Sequence, residues 1–107
     1  MSLTFHIFYK GKDDNAYKFV KEMIDSGIVE EIRKEDGNLQ YAYFYPFEDK
    51  NTVLLIDSWV NQEALDRHHN SELMEKIANL RNKYDLHMTV EKFTSIIDDK
   101  DSKYIRK

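Results

Sequence analysis

Residues Leu3–Tyr9 alternate strictly, and both alternating sets are largely apolar. Leu3, Phe5, Ile7 and Tyr9 form one face of a strand, and Thr4, His6 and Phe8 form the other. A strand of this kind leaves neither face in water, so both sides of its sheet need a cover. With 107 residues the chain builds one domain, which limits the helices available for that cover.

A helical pattern follows. Asp13, Asp14 or Asn15 can cap it, and Ala16, Phe19, Val20, Met23 and Ile24 recur at three- and four-residue spacing over about four turns. Gly27 reads as its stop, with Ile28, Val29 and Ile32 in a kinked second segment toward Lys34. Asp36-Gly37-Asn38 is a turn. The spacing predicts a second strand over Leu39–Phe47, with Tyr41, Tyr43 and Tyr45 on one side and Ala42 and Phe44 on the other. Pro46 places its end at a sheet edge. A third strand spans Thr52–Val60, and the polar turn between the two makes a hairpin. Asn61 caps a short helix, and Asn70-Ser71 starts another whose buried side is Leu73, Met74, Ile77, Leu80 and Tyr84. Leu86–Phe93 is a fourth strand. The domain is expected over residues 1–97, with 98–107 a polar tail.

This order, β-α-β-β-α-β, predicts an α+β, ferredoxin-like fold with an antiparallel sheet. Its helices cover one sheet face. The other is too apolar to stay exposed, so two sheets are expected to pack face to face in a homodimer, with a pocket near the sheet-to-sheet interior.

Composition narrows the function. The net charge of −4 disfavours nucleic acid as a partner. Without cysteine there is no disulfide scaffold, zinc ribbon or thiol nucleophile. No apolar run is long enough for a membrane span and no leader precedes the domain, so a cytoplasmic location is expected. Only Gly11, Gly27 and Gly37 are present, which leaves no phosphate-cradling loop and no nucleophile elbow.

Four groups of residues remain as candidates. His68 and His69 are adjacent on a helix, point about 100° apart, and make a poor metal pair. His6 and His87, on the first and fourth strands, are read as flanking the central pair. Each is either a core histidine or a proton carrier lining a pocket. Asp57 and Trp59 share a face with Leu55, and a carboxylate there needs a partner. The tyrosine ladder either packs or stacks a flat ligand. Together they suit an apolar cavity for a small planar molecule.

The run Arg33-Lys34-Glu35-Asp36-Gly37-Asn38-Leu39-Gln40-Tyr41 resembles the helix-to-strand segment of the antibiotic biosynthesis monooxygenase superfamily. Asp57-Ser58-Trp59, Asn61-Gln62-Glu63-Ala64-Leu65, His68 and Ser71 are similar to its third-strand and helix signature. The resemblance covers roughly residues 3–94 and implies a dimeric α/β barrel. It also implies a monooxygenase that works without cofactor or metal on a quinol-like or polyphenolic substrate. His6 would be the base, Trp59 a stacking wall, and Asp57 an orienting partner. Thr4, Phe8, Tyr41, Tyr43, His68 and His87 would line the substrate site. Thr4 matches the family's first-strand site residue, which assigns the Thr4/His6/Phe8 face to the barrel interior. The family commonly carries Glu where Asp57 stands and a second His where Leu73 stands. Haem degradation, another activity in the superfamily, is disfavoured because the helix offers no histidine beyond His68 and His69. The alternative reading is a non-catalytic or stress-associated dimer that binds a small aromatic.

Overall fold

The computed structural model describes residues 1–96 and 99–106. Its elements are β1 (Leu3–Lys10), α1 (Asn15–Asp25), α2 (Ile28–Arg33), β2 (Asn38–Phe44), β3 (Thr52–Trp59), α3 (Gln62–His69), α4 (Leu73–Lys83) and β4 (His87–Thr94), followed by a 3₁₀ turn over Asp99–Tyr104. The strands form one antiparallel sheet in the order β2-β3-β1-β4, the expected α+β, ferredoxin-like arrangement. The boundary expected between residues 97 and 98 lies outside the described residues. No helix among the described residues is long and apolar enough to cross a membrane.

Three local expectations are corrected. β1 is central, not flanking, because it pairs along its whole length with both β3 and β4. β2 ends at Phe44, so Tyr45 leaves the tyrosine ladder and stacks on Tyr17 of α1 instead. Pro46, two residues beyond, cannot donate to a ladder and favours extended rather than paired backbone before it. α1 has three turns rather than four, and Gly27 in the left-handed region ends it and starts α2.

Register decides which side chains share a face. Opposite Leu3, Phe5, Ile7 and Tyr9 stand Trp59, Asp57, Leu55 and Val53, so all eight project to one side, joined by Tyr41 and Tyr43 from β2. The helices lie on that side. Phe19, Met23 and Ile32 from α1 and α2, and Leu65 and Ile77 from α3 and α4, complete the core with Tyr9, Leu55 and Trp59. Each such side chain contributes roughly 1.5–3 kcal/mol by leaving water.

The opposite face carries Thr4, His6, Phe8, Leu54, Ile56, Ala42 and Phe44, with Phe93 at its β4 edge. Phe44 and Phe93 are 44% and 43% exposed there.

Gly37 locks the α2–β2 turn against α3. Its φ is +87°, and a Cβ would meet Ala64 Cβ at 2.5 Å and Val60 Cγ2 at 2.9 Å. Only glycine fits both constraints. Val60 N–H donates to Gly37 O at 2.9 Å, and Asn38 N–H donates to Glu35 O at 3.1 Å. The turn therefore brings Glu35 to the side of α3.

Candidate active site

Between the sheet and helices α3 and α4 lies a cavity of about 210 Å³. Its walls are mainly apolar: Phe5, Ile7 and Leu55 from the sheet, Met74 and Ile77 from α4, and Met88 and Val90 from β4. Its polar groups are Tyr9, Tyr41, Asp57, His68, His69 and Arg81. A larger depression, about 470 Å³, lies on the outer surface among Asp14, Tyr17, Tyr45, Pro46, Phe47 and Lys50. It contains no buried titratable group, whereas the smaller cavity contains several, which makes the smaller one the candidate site.

Asp57 is 5% exposed on β3. The indole Nε1–H of Trp59 donates to its Oδ1 at 2.8 Å. The two residues are i and i+2 on one strand, so the pleat itself turns both to the same side. Burial pushes the Asp57 carboxyl up to about 7, against the opposing pull of the Trp59 hydrogen bond, and the charge of Glu35 pushes it further up. One neutral donor does not offset the lost hydration.

Trp59 is fully buried, and His68 lies on it with ring centroids 4.6 Å apart and planes 28° apart. His68 is held from its other side, with Nδ1 and Glu35 Oε2 2.6 Å apart. Burial pushes the His68 imidazole below its usual range, while Glu35 pulls it upward. In the neutral ring Nδ1–H donates to Glu35, which leaves Nε2 as the acceptor. Asn61 caps α3, its Oδ1 accepting from Ala64 N–H at 2.9 Å, and so fixes the helix that carries His68. Glu35, His68, Trp59 and Asp57 thus form a continuous stack from the α2–β2 turn to the cavity floor.

Burial also raises the Tyr9 phenol to about 12 and holds Tyr41 and Tyr43 well above the ordinary phenol range. These hydroxyls remain neutral. Tyr41 meets the edge of Tyr43 with centroids 5.8 Å apart, and the Tyr43 hydroxyl is buried without a hydrogen-bond partner. Among the described residues no three His, Asp or Glu side chains converge as a metal set would require.

The structure divides the residues singled out in the sequence. Asp57, Trp59, Tyr41 and His68 meet at the cavity, with Tyr43 beside them on the same sheet face. Thr4, His6 and Phe8 stand on the opposite face of β1, and His87 lies with Phe8 in a separate depression. Thr4 Oγ1 and Ser58 Oγ share a hydrogen bond of 2.8 Å, and the His6 ring packs against Phe93 at 4.7 Å. The reading that put the pocket on the Thr4/His6/Phe8 face therefore does not describe this cavity, which lies under the helices. Glu35, Tyr9 and Arg81 were not singled out as site residues. Glu35 is 33 positions from His68, and no spacing rule connects them. Tyr9 was legible as a face-mate of Phe5 and Ile7, and needed only the knowledge that helices cover that face.

A model of the antibiotic biosynthesis monooxygenase family matches residues 2–80. The chain belongs to that family. "Putative monooxygenase YcnE" of Bacillus subtilis (strain 168) is 25% identical over 67 residues, covering 63% of this chain and 68% of YcnE. The fold is shared with SnoaB of Streptomyces nogalater, a cofactor-independent oxygenase. That match has a TM-score of 0.74 at 12% identity, over 92% of this chain and 96% of SnoaB. PA3566 of Pseudomonas aeruginosa matches at TM-score 0.74 and 22% identity, over 90% of this chain and 95% of its own. Family and relatives together support a monooxygenase-like role.

Proposed function

We propose that this protein is a cofactor-independent monooxygenase of a small phenolic or quinol-like aromatic, and that Asp57 is its general base. The observation that carries the reading is the Asp57 carboxyl, buried, aimed into an apolar cavity and poised near pH 7. Ligand sites for drug-sized molecules run to roughly 300–1,000 Å³. A cavity of about 210 Å³ suits one ring or two fused rings.

The ring enters between Phe5, Ile7 and Met74, and its hydroxyl meets the free oxygen of Asp57. Trp59 holds Oδ1, so the carboxylate is oriented before substrate arrives. Proton transfer to Asp57 leaves an electron-rich phenolate that gives one electron to O₂. The resulting radical pair joins as a carbon-bound peroxide, which loses water to give the quinone. One oxygen atom enters the ring and the other leaves as water. The substrate supplies all four electrons, so the balance needs no external reductant. Tyr9 and Tyr41, held neutral by burial, are placed to donate to the peroxide. We further propose that two copies pack their open sheet faces together, with Phe44 and Phe93 in the contact.

Oxygen uptake with a panel of hydroquinones and naphthols tests the reading. Asp57→Asn keeps the acceptor for Trp59 and removes the base, so uptake should fall by about 10²–10⁴. Wild-type uptake should rise with pH through about 7, because the base is the ionised form. Uptake that survives in Asp57→Asn, or that is absent with every phenol, overturns it.

A further inference from the structure

Arg81 is the arginine that lines the cavity. It sits in the last turns of α4, partly buried, and its side chain donates a weak hydrogen bond, Nη1–H to Met88 Sδ at 3.7 Å. Among the described residues no carboxylate lies within ion-pair distance of it. Arg33 and Arg67 differ. Arg33 donates to Tyr41 O at 2.9 Å, and Arg67 faces Glu63 and Asp36 on the surface. A guanidinium at the cavity's exposed rim, beside the thioether of Met88, has five donors and no carboxylate among the described residues to take them.

Its position along the sheet matters as much as its charge. Asp57 stands opposite Phe5 on β1, while Met88 stands opposite Tyr9. Four residues of strand separate these levels, about 13 Å of backbone. The cavity thus has an acidic end lined by Asp57 and a basic end lined by Arg81. A ligand negative at one end and bearing a hydroxyl at the other fits in one orientation. The reverse orientation sets carboxylate against carboxylate.

We propose that the cavity takes a hydroxylated aromatic acid, its carboxylate paired with Arg81 and its hydroxyl turned to Asp57. This rests on the reading of Asp57 as the base. Arg81 is then a specificity residue, since a neutral quinol satisfies only one end of the site. A charged, bidentate pair in a partly dry wall gives roughly a ten- to hundredfold preference for the acid over its uncharged analogue.

The test compares 2,5-dihydroxybenzoate with its methyl ester, which has the same ring and hydroxyls without the charge. Titration calorimetry on the whole protein should show the acid binding at least tenfold more tightly. In Arg81→Met, which keeps the apolar stem, the acid-to-ester ratio should collapse to about one, and Arg81→Lys should retain part of it. Equal affinities in wild type, or an unchanged ratio in Arg81→Met, overturn the proposal. The wild-type ratio alone decides should Arg81→Met fail to fold. Oxygen uptake separates this from the function proposed above. Turnover of neutral quinols without preference for the acid leaves the monooxygenase reading standing and Arg81 without its role. Tight, Arg81-dependent binding of the acid without uptake does the reverse.

Discussion

The two faces of β1 are built from alternating residues of one eight-residue strand, yet they differ in kind. On the helix side each polar group of the central stack has a partner: Trp59 for Asp57, and Glu35 for His68. These contacts hold the side chains in water-poor surroundings, where burial shifts their protonation and the contacts themselves oppose the shift. On the open side the polar pair is Thr4 with Ser58, and His6 rests on Phe93. The aromatic rims there remain accessible. An apolar strand face is therefore not yet a site. It becomes one where a second layer excludes water while leaving a gap.

Trp59→Ala should cause the largest loss. It removes the largest fully buried side chain and strips Asp57 of its donor. Large-to-small changes of this kind cost about 3–5 kcal/mol. Urea unfolding should show a loss in that range. A loss under about 1 kcal/mol would mean that the helix layer does not seal the site.

Asp57 also separates the faces through pH. Its folded pKa of about 7 lies above the ordinary 3.8, so the folded state binds the proton more tightly than the unfolded one. That stabilisation is complete below about pH 4 and is lost as pH rises toward 7. Asp57→Asn carries no such dependence. Its stability advantage over wild type should grow by about 3 kcal/mol between pH 4.5 and 8. A constant gap across that range would place the carboxyl in water. A base that destabilises the fold at working pH is what a site residue, rather than a packing residue, would cost.

On the open face the expected effects are on association. The chain should run at twice 12.8 kDa by light scattering. Phe93→Ala should raise the dissociation constant roughly tenfold, about 1.4 kcal/mol, and leave the cavity unchanged. A wild-type monomer at micromolar concentration would show that the open face is tolerated in water.

Much of this division was legible in the sequence. The strict alternation of Leu3–Tyr9 separates the faces correctly, and the third-strand pattern puts Asp57 and Trp59 together. Asn61 announces α3, and Gly27 and Gly37 mark the turns where they fall. Alternation has no sign, however. It says that two faces differ without saying which one the helices cover. That choice depends on the path of the chain from β1 into α1, a tertiary property. The Glu35–His68 contact depends on how the Gly37 turn seats on Ala64, and Arg81 on the depth to which α4 packs. Neither leaves a periodic trace.

The smallest effect expected is that of His6→Ala, and it tests the comparison most directly. A strand histidine among Thr4 and Phe8 is a natural candidate for a base, and a cavity between two sheets would give it that role. Its ring projects from β1 to the side away from Asp57 and its cavity, because residues 5 and 6 of a strand point to opposite faces. What His6 supplies is a tilted contact with Phe93, worth about 0.5–1.5 kcal/mol as an aromatic pair. His6→Ala should therefore lower stability by about 1 kcal/mol and change oxygen uptake by no more than about twofold. Asp57→Asn, measured beside it, should lose about a hundredfold or more. Should the ranking invert, with His6→Ala inactive and Asp57→Asn active, the working site lies between the sheets of two subunits. The cavity under the helices would then be packing.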